Sequence, residues 1–386
     1  MKIQTTRDEI LNKIMFINKA MSPKVSNFIL SGIMLESSKK DNMLNIYGTD
    51  LETSIKSFIK VKVESDGKVV IPSKILINVL RSFPEAKVDI EFLQDTNELS
   101  LTCQKANFKL NTFPVEEYPQ FPEIKSTKSL KINFNLFKTL VSKVQKSRSM
   151  DESRIMLTGI LIDISNNYVK MAATDSYRLA VAGGEALIKK ASSEGGSIKV
   201  VVPERVLDTI AKSDLKNNEI EINIEENQIS FLLTDENNKD DKDNKEENKT
   251  MVVSRILSGK FPDYEKLIPQ DFNHSIIINK NIILEVIKRV SSIAQDNVPI
   301  KLDFEKGRLI VSMNIRETGS AVEDFEIGYG QEAIQIAFNP DFLIDGLTIM
   351  DEEKIIFNIV EPLKPVLIKQ EKNENVLYLL MPIRVA

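Results

Sequence analysis

The sequence predicts an α+β protein of three repeated domains, each with two helices packed on one face of an antiparallel sheet. Three observations predict it. Six short stretches share the apolar spacing i, i+1, i+4, i+5, and they fall in three pairs, one pair per third of the 386 residues. β-Branched runs end at a proline before a helical pattern, at Val69-Val70-Ile71-Pro72, at Val200-Val201-Val202-Pro203 and, more weakly, at Ala337-Phe338-Asn339-Pro340. Smaller landmarks recur too: Gly48-Thr49-Asp50 matches Ala173-Thr174-Asp175, and Phe113-Pro114 with Tyr118 recurs as Phe261-Pro262 with Tyr264. A step this long repeats domains, not a short solenoid unit.

The helices are expected over residues 7–24, 72–82, 135–148, 203–216, 280–292 and 340–350. Their stripes are Ile10, Leu11, Ile14, Met15; Ile75, Leu76, Val79, Leu80; Leu136, Phe137, Leu140, Val141; Val206, Leu207, Ile210, Ala211; Ile282, Ile283, Val286, Ile287; and Phe342, Leu343, Gly346, Leu347. That spacing gives each helix one apolar side and one polar side. Proline suits a first helical position because its missing N–H has no partner there anyway. Strands are expected at residues 27–36, 43–48, 53–63, 88–93, 98–103 and 107–113 of the first third, and each later third repeats the order helix, strands, helix, strands. Domain boundaries are placed to give residues 1–127, 128–271 and 272–386. Residues 236–249, ENNKDDKDNKEENK, contain no apolar residue and are expected to form a mobile acidic and Asn-rich loop between two hairpin strands, 229–233 and 251–256.

Apolar residues make up 42% and charged residues 28% of the chain, ordinary values for a globular protein. No apolar run is long enough to cross a bilayer, and the start Met1-Lys2-Ile3-Gln4 enters a strand pattern without a signal peptide. The single Cys103 excludes an internal disulfide and fits a reducing cytoplasm. The one histidine, His274, has no Cys or His at metal spacing, and there is no Gly-rich phosphate loop or nucleophile elbow. No metal, cofactor or catalytic residue is expected, and an enzyme is disfavoured. Asp50 and Asp175 follow threonines in matching segments and are expected to stabilise turns. Asp324, Asp341, Asp345 and Asp351 read as scattered carboxylates.

The net charge of −5 argues against nucleic acid, but its distribution argues the other way. The six expected helices carry a net of +8 and the remainder −13. Basic helices inside an acidic remainder attract phosphates locally. Each repeat domain also has sheet edges that need pairing. If successive domains join edge to edge, the terminal domains keep open edges, and head-to-tail joining of two chains can satisfy both by closing a ring. The polar helix faces then point one way. In the 135–148 helix Lys138, Lys143 and Lys146 fall opposite the apolar side, which predicts a basic bore.

The chain resembles the bacterial DNA polymerase III sliding clamp, the β subunit, over its whole length. The resemblance rests on Gly48-Thr49-Asp50-Leu51-Glu52, Ala173-Thr174-Asp175-Ser176-Tyr177-Arg178-Leu179-Ala180, Phe261-Pro262-Asp263-Tyr264 with Pro269, and the tail Tyr378-Leu379-Leu380-Met381-Pro382-Ile383-Arg384. It implies a homodimeric ring of six similar domains, the DNA clamp fold, that encircles duplex DNA without reading sequence and confers processivity. By family position Lys24 contacts DNA, and Arg148 and Arg154 flank a DNA-contacting loop. Charge and helix position add Lys74, Arg81, Lys138, Lys143, Lys146, Arg205, Lys212, Lys280, Lys288 and Arg289.

The resemblance also implies a pocket for short peptides of the replicative polymerase catalytic subunit, the clamp loader and repair polymerases. It would lie between the second and third domains, closed by the C-terminal tail. The matching positions are Leu157, Thr174, Ser176, Tyr177, Arg178 and Leu179; Pro262, Lys266 and Leu267; Pro365 and Val366; and Leu379, Met381, Pro382, Ile383 and Arg384. Arg178 and Arg384 would hold polar groups of the peptide at the rim. Ser176-Tyr177 stands where Gly-His is frequent, and Lys266 where Arg is frequent, departures that leave the peptide preference open and not the pocket itself. Phe108 and Leu110 match one side of the subunit contact and Ile293 the other, a core role being the alternative for each. An adaptor of the same fold without a DNA role is the alternative for the whole chain.

Overall fold

The structure is a computed structural model that describes residues 1–20, 27–124, 129–165, 167–185, 198–213, 218–234, 249–294, 298–316 and 318–384. All six expected helices are present: α1 (Arg7–Ala20), α2 (Ser73–Ser82), α3 (Phe134–Val144), α5 (Glu204–Ala211), α6 (Lys280–Val290) and α7 (Pro340–Thr348). A single turn, α4 (Ile155–Thr158), was not expected. The stripes are the buried sides, with one refinement. In α2 and α6 the first stripe residue, Ile75 or Ile282, stays about half exposed, while Leu76, Val79, Leu80, Ile283, Val286 and Ile287 are buried. Each fully buried aliphatic side chain contributes about 1.5–3 kcal/mol.

The prolines depart from expectation. Pro72 and Pro203 end the strands Gly67–Pro72 and Ile198–Pro203, one residue before their helices. Only Pro340 takes the first helical position, behind Asn339, whose side chain accepts from the N–H groups of Asp341 and Phe342. Pro72 has an extended ψ of 117°, which continues the strand and not the helix. Residues 28–31 were expected to be strand. They form a 3₁₀ turn because the Asn27 side chain accepts from the Ile29 N–H and closes it.

Among the described residues four sheets hold these helices, and every strand pair in them is antiparallel. The first eight-stranded sheet runs Ser129–Asn133, Glu219–Ile224, Gln228–Thr234, Lys249–Arg255, Thr53–Lys60, Met43–Thr49, Gly32–Ser38, Gly67–Pro72. The second runs Ile198–Pro203, Gly159–Ser165, Tyr168–Thr174, Arg178–Glu185, Val376–Leu380, Val366–Gln370, Lys354–Ile359, His274–Asn279. Each therefore takes four strands from one third and four from the next. The joins are Val252 opposite Ile55 in the first sheet and Val181 opposite Leu377 in the second. A five-stranded sheet ends at Ala106–Asn111, and a four-stranded sheet ends at Gly319–Glu326.

Compactness follows the shared sheets. The described residues of 1–138 and 205–256 form one compact unit, and those of 139–185, 198–204 and 257–384 form the other. The expected hairpin is present as Gln228–Thr234 paired with Lys249–Arg255. Of the expected acidic loop, Lys249 belongs to that strand, and residues 236–248 lie outside the described residues. Cys103 is buried in the Glu98–Cys103 strand.

Candidate functional site

The turns after the Thr-Asp pairs show what those residues do. In the second unit, Thr174 Oγ1 donates to the Arg178 carbonyl (2.7 Å) and accepts from the Ser176 N–H (3.1 Å). Asp175 Oδ1 accepts from the N–H groups of Tyr177 (2.8 Å) and Arg178 (2.9 Å). In the first unit, Thr49 and Asp50 make the same set of bonds around Leu51 and Glu52. The residue after each Asp is left-handed: Leu51 at φ 73° and Ser176 at φ 80°. Both aspartates are thus turn-stabilising, as their repeated placement predicts.

All sixteen candidate pocket residues fall in the second unit. Leu179 stands opposite Leu379, and Val366 opposite Leu380, on three adjacent strands. Leu179, Val366 and Leu379 are buried, as is Thr174. Residues 257–272 cross this sheet, where Phe261 and Tyr264 pack with Leu161, Leu179, Leu367 and Leu379. Beside this floor Tyr177 is 62% exposed, Leu267 54%, Met381 38% and Ile383 37%. The tail is pinned next to them: the Met381 N–H donates to the Tyr177 carbonyl (2.9 Å) and the Ile383 N–H to the Ala337 carbonyl (2.8 Å). Leu157 sits half-buried on α4, and Pro365 and Pro382 are half-buried. Pro262, Lys266, Ser176 and Arg384 are exposed. Large apolar side chains left open around a buried apolar floor favour a partner. The Lys266 ammonium, 2.7 Å from Asp263, holds that carboxyl below its usual range. Burial pushes the Tyr264 phenol up to about 12, and its hydroxyl is buried without a hydrogen-bond partner among the described residues.

Arg178 departs from its expected place at the rim. Its side chain is only 10% exposed. Nε donates to Asp175 Oδ2 (3.0 Å), Nη1 to Asp345 Oδ2 (2.7 Å), and Nη2 to the Lys146 carbonyl. The guanidinium lies 4.1 Å from the centre of the Phe342 ring. Its donors are occupied inside the protein, so it anchors the turn from beneath.

The expected DNA cations divide by environment. Lys24 lies outside the described residues. Lys74 and Arg81 are exposed on α2, where with Met15, Asn18, Lys19, Ile77 and Asn78 they line a cavity of about 260 Å³ between α1 and α2. Lys138 donates to the Ser213 carbonyl (3.2 Å) over the Phe134 ring. Arg205 reaches Asp50 at 3.8 Å, and burial lowers its pKa. Lys212 pairs with Asp208 one turn back. In the second unit Lys146 pairs with Asp345 (2.7 Å) and Arg148 with Glu204 (2.6 Å). Arg154 donates to the hydroxyls of Ser176 (3.1 Å) and Ser149 (3.0 Å). Lys280 donates to the Met350 carbonyl (3.0 Å), and Arg289 forms a two-pronged bond to Glu323. Lys288 is exposed.

Lys143 requires a correction. The helical wheel put it on the solvent side, yet it is 7% exposed. Its ammonium donates to the Ile349 carbonyl (2.7 Å) and Asp351 Oδ2 (2.6 Å). A single-helix pattern is blind to a second element packed against the polar side, here the segment that ends α7.

Phe108 and Leu110 lie on the outer strand Ala106–Asn111, with the Phe108 ring edge-on to Phe83 at 5.5 Å. Ile293 is half-buried in the 3₁₀ turn Ser291–Ile293 after α6. The residues that sequence reasoning missed are Asp345, Asp351 and Phe342, which hold Lys146, Arg178 and Lys143. Nothing local marks Asp345, because its partners are more than 160 residues away.

Family models for the DNA polymerase III beta subunit match the chain in series: the N-terminal domain at residues 1–122, the central domain at 131–263 and the C-terminal domain at 265–384. A beta sliding clamp homolog of Streptomyces muensis is 30% identical over 390 residues, covering all of this chain and 99% of that protein. The beta sliding clamp of Bacillus subtilis is 29% identical over 397 residues and covers both chains fully. The crystal structure of the Bacillus subtilis DNA polymerase sliding clamp superposes with a TM-score of 0.89 at 28% identity over 100% of both chains. With its repeated domains, its edge-joined sheets and these matches along its whole length, the chain belongs to the bacterial DNA polymerase III β subunit family, the β sliding clamps.

Proposed function

We propose that this sliding clamp works as a closed ring of two chains around duplex DNA, tethering the replicative polymerase and repair proteins in DNA replication. The observation that carries the ring is the repeat of the sheet joins. Ala106–Asn111 occupies in its sheet the place that Lys249–Arg255 and Val376–Leu380 occupy in theirs. Gly319–Glu326 occupies the place of Thr53–Lys60 and Arg178–Glu185. The two joins within the chain pair these places, so the remaining two pair between chains, head to tail. Phe108 and Leu110 of one chain then meet the Ile293 side of its partner. The domains run 1–127, 128–271 and 272–386.

Cations act on phosphates without reading bases. The exposed Lys74, Arg81 and Lys288 lead in this; Lys24, Lys138, Lys146, Arg148, Arg154, Arg205, Lys212, Lys280 and Arg289 add to the field. Lys143 is structural. The apolar surface around Leu179, Leu379, Tyr177 and Met381 takes extended peptides from the polymerase catalytic subunit, the clamp loader and repair polymerases. The protein holds DNA by topology and catalyses no reaction, and it acts in the cytoplasm. Among the described residues no helix is long and apolar enough to cross a membrane.

The test is retention on nicked circular DNA after loading. The expected result is a two-chain particle that stays on the circle and is lost when the circle is cut. Phe108→Asp should give a folded single chain that is not retained. Retention after linearisation, or a wild-type protein of one chain, overturns the ring.

A further inference from the structure

We propose that DNA and the partner peptide weaken each other's binding through the turn Asp175–Arg178, because Lys146 and Arg154 hold that turn and are also cations that meet the duplex. The inference rests on the function proposed above and concerns how its two binding surfaces communicate.

The turn is the meeting point of the apolar surface and the tail. It carries the exposed Tyr177, whose carbonyl accepts the Met381 N–H. Ser176 is left-handed, so its conformation persists only while neighbouring bonds over-determine it. Thr174 and Asp175 supply four of those bonds within the turn, and two cations add to them from outside it. Arg154 Nη1 donates to Ser176 Oγ at 3.1 Å. Lys146 acts through Asp345, which gives Oδ1 to Lys146 and Oδ2 to Arg178, both at 2.7 Å. Arg178 is tied a second time to the same segment, through the Lys146 carbonyl, and passes the hold to Asp175 through Nε. Two contiguous links therefore run from the Lys146 segment to the turn.

The lysine and Arg154 are also reachable from solvent. The Lys146 side chain is 55% exposed and that of Arg154 37%. A phosphate that takes Lys146 removes a charge from Asp345, and one that takes Arg154 releases the Ser176 hydroxyl. The turn then loses its pre-organisation, and a peptide must order it on binding. Reciprocity follows: a peptide that fixes the turn draws both cations back and weakens the DNA contact by the same factor.

The probes are a short linear duplex at low salt and an uncharged, end-blocked extended pentapeptide with two apolar residues at its C-terminal end. Peptide affinity is measured by calorimetry on the full chain, with and without saturating duplex, and duplex affinity with and without peptide. The uncharged probe removes direct repulsion between the two ligands. The expected result is a mutual weakening of about threefold to tenfold, equal in both directions. Lys146→Gln combined with Arg154→Gln should weaken the peptide by a similar factor without DNA and abolish the further effect of DNA. Asp345→Asn, which leaves both cations in place but cuts the carboxylate between them, should reduce the coupling while duplex affinity is kept or raised. If both ligands bind and neither changes the other, or if DNA tightens peptide binding, the coupling is overturned and the proposed function stands. If the wild type binds neither probe, both fall.

Discussion

Arg178→Met isolates the anchor of the peptide-binding turn. Methionine keeps an unbranched apolar stem against Phe342 and removes the charge and all donors. Two charge-assisted bonds are lost, to Asp175 and to Asp345, together with the bond to the Lys146 carbonyl. Bonds to charged groups contribute about 1.5–3 kcal/mol each. The loss stays below their sum because Asp345 keeps Lys146 and Asp175 keeps two backbone N–H donors. We expect a destabilisation of about 3–4 kcal/mol, at the low end of the range for removing one partner of a buried pair. In urea denaturation the midpoint falls with little change in slope. Peptide affinity falls as well, because Ser176 and Tyr177 lose the support beneath them. Combining Arg178→Met with Asp345→Asn should cost less than the sum of the two single changes, since they share one interaction. A loss under about 0.5 kcal/mol with unchanged peptide binding, the size of an ordinary surface substitution, would refute the view that Arg178 is an internal anchor.

Tyr264→Phe removes a buried hydroxyl that has no partner among the described residues and should leave stability at neutral pH unchanged or raise it by about 1 kcal/mol. The folded protein keeps the neutral phenol, with a pKa raised from 10.0 to about 12 by burial. That contribution is whole below pH 10 and disappears as pH rises through 12, so the advantage of the variant should grow across that window, read from urea midpoints at each pH. Lys143→Met should cost about 1–3 kcal/mol and leave the salt dependence of DNA binding unchanged, because its ammonium is engaged with Ile349 and Asp351. Lys288→Ala should do the opposite, sparing stability and lowering the slope of log affinity against log salt by about one.

The helices and the turn aspartates were legible because their causes are local. Four apolar residues at i, i+1, i+4 and i+5 define a buried side whatever that side meets, and Asp50 and Asp175 close their turns with N–H groups two and three residues away. The alignment of Phe113 with Phe261 was a less reliable guide. The Phe113 N–H donates to the Val70 carbonyl as the Leu257 N–H donates to that of Val201, so Leu257 is the structural counterpart of Phe113. Resemblance of short motifs does not carry register when the intervening loops differ in length.

Sequence alone determined that this chain is a tandem of three like domains with basic helices, because periodicity and charge are properties of neighbouring residues. Only tertiary structure decided which cations are free. Lys143, Lys146 and Arg178 find carboxylates and carbonyls on α7 and beyond it, far away in the chain, and for the buried Lys143 and Arg178 a low-dielectric contact with such a partner outweighs solvation in setting where the charge points. It also decided that strands of different thirds share one sheet, since backbone hydrogen bonds carry no record in the side-chain pattern of which edge they will join.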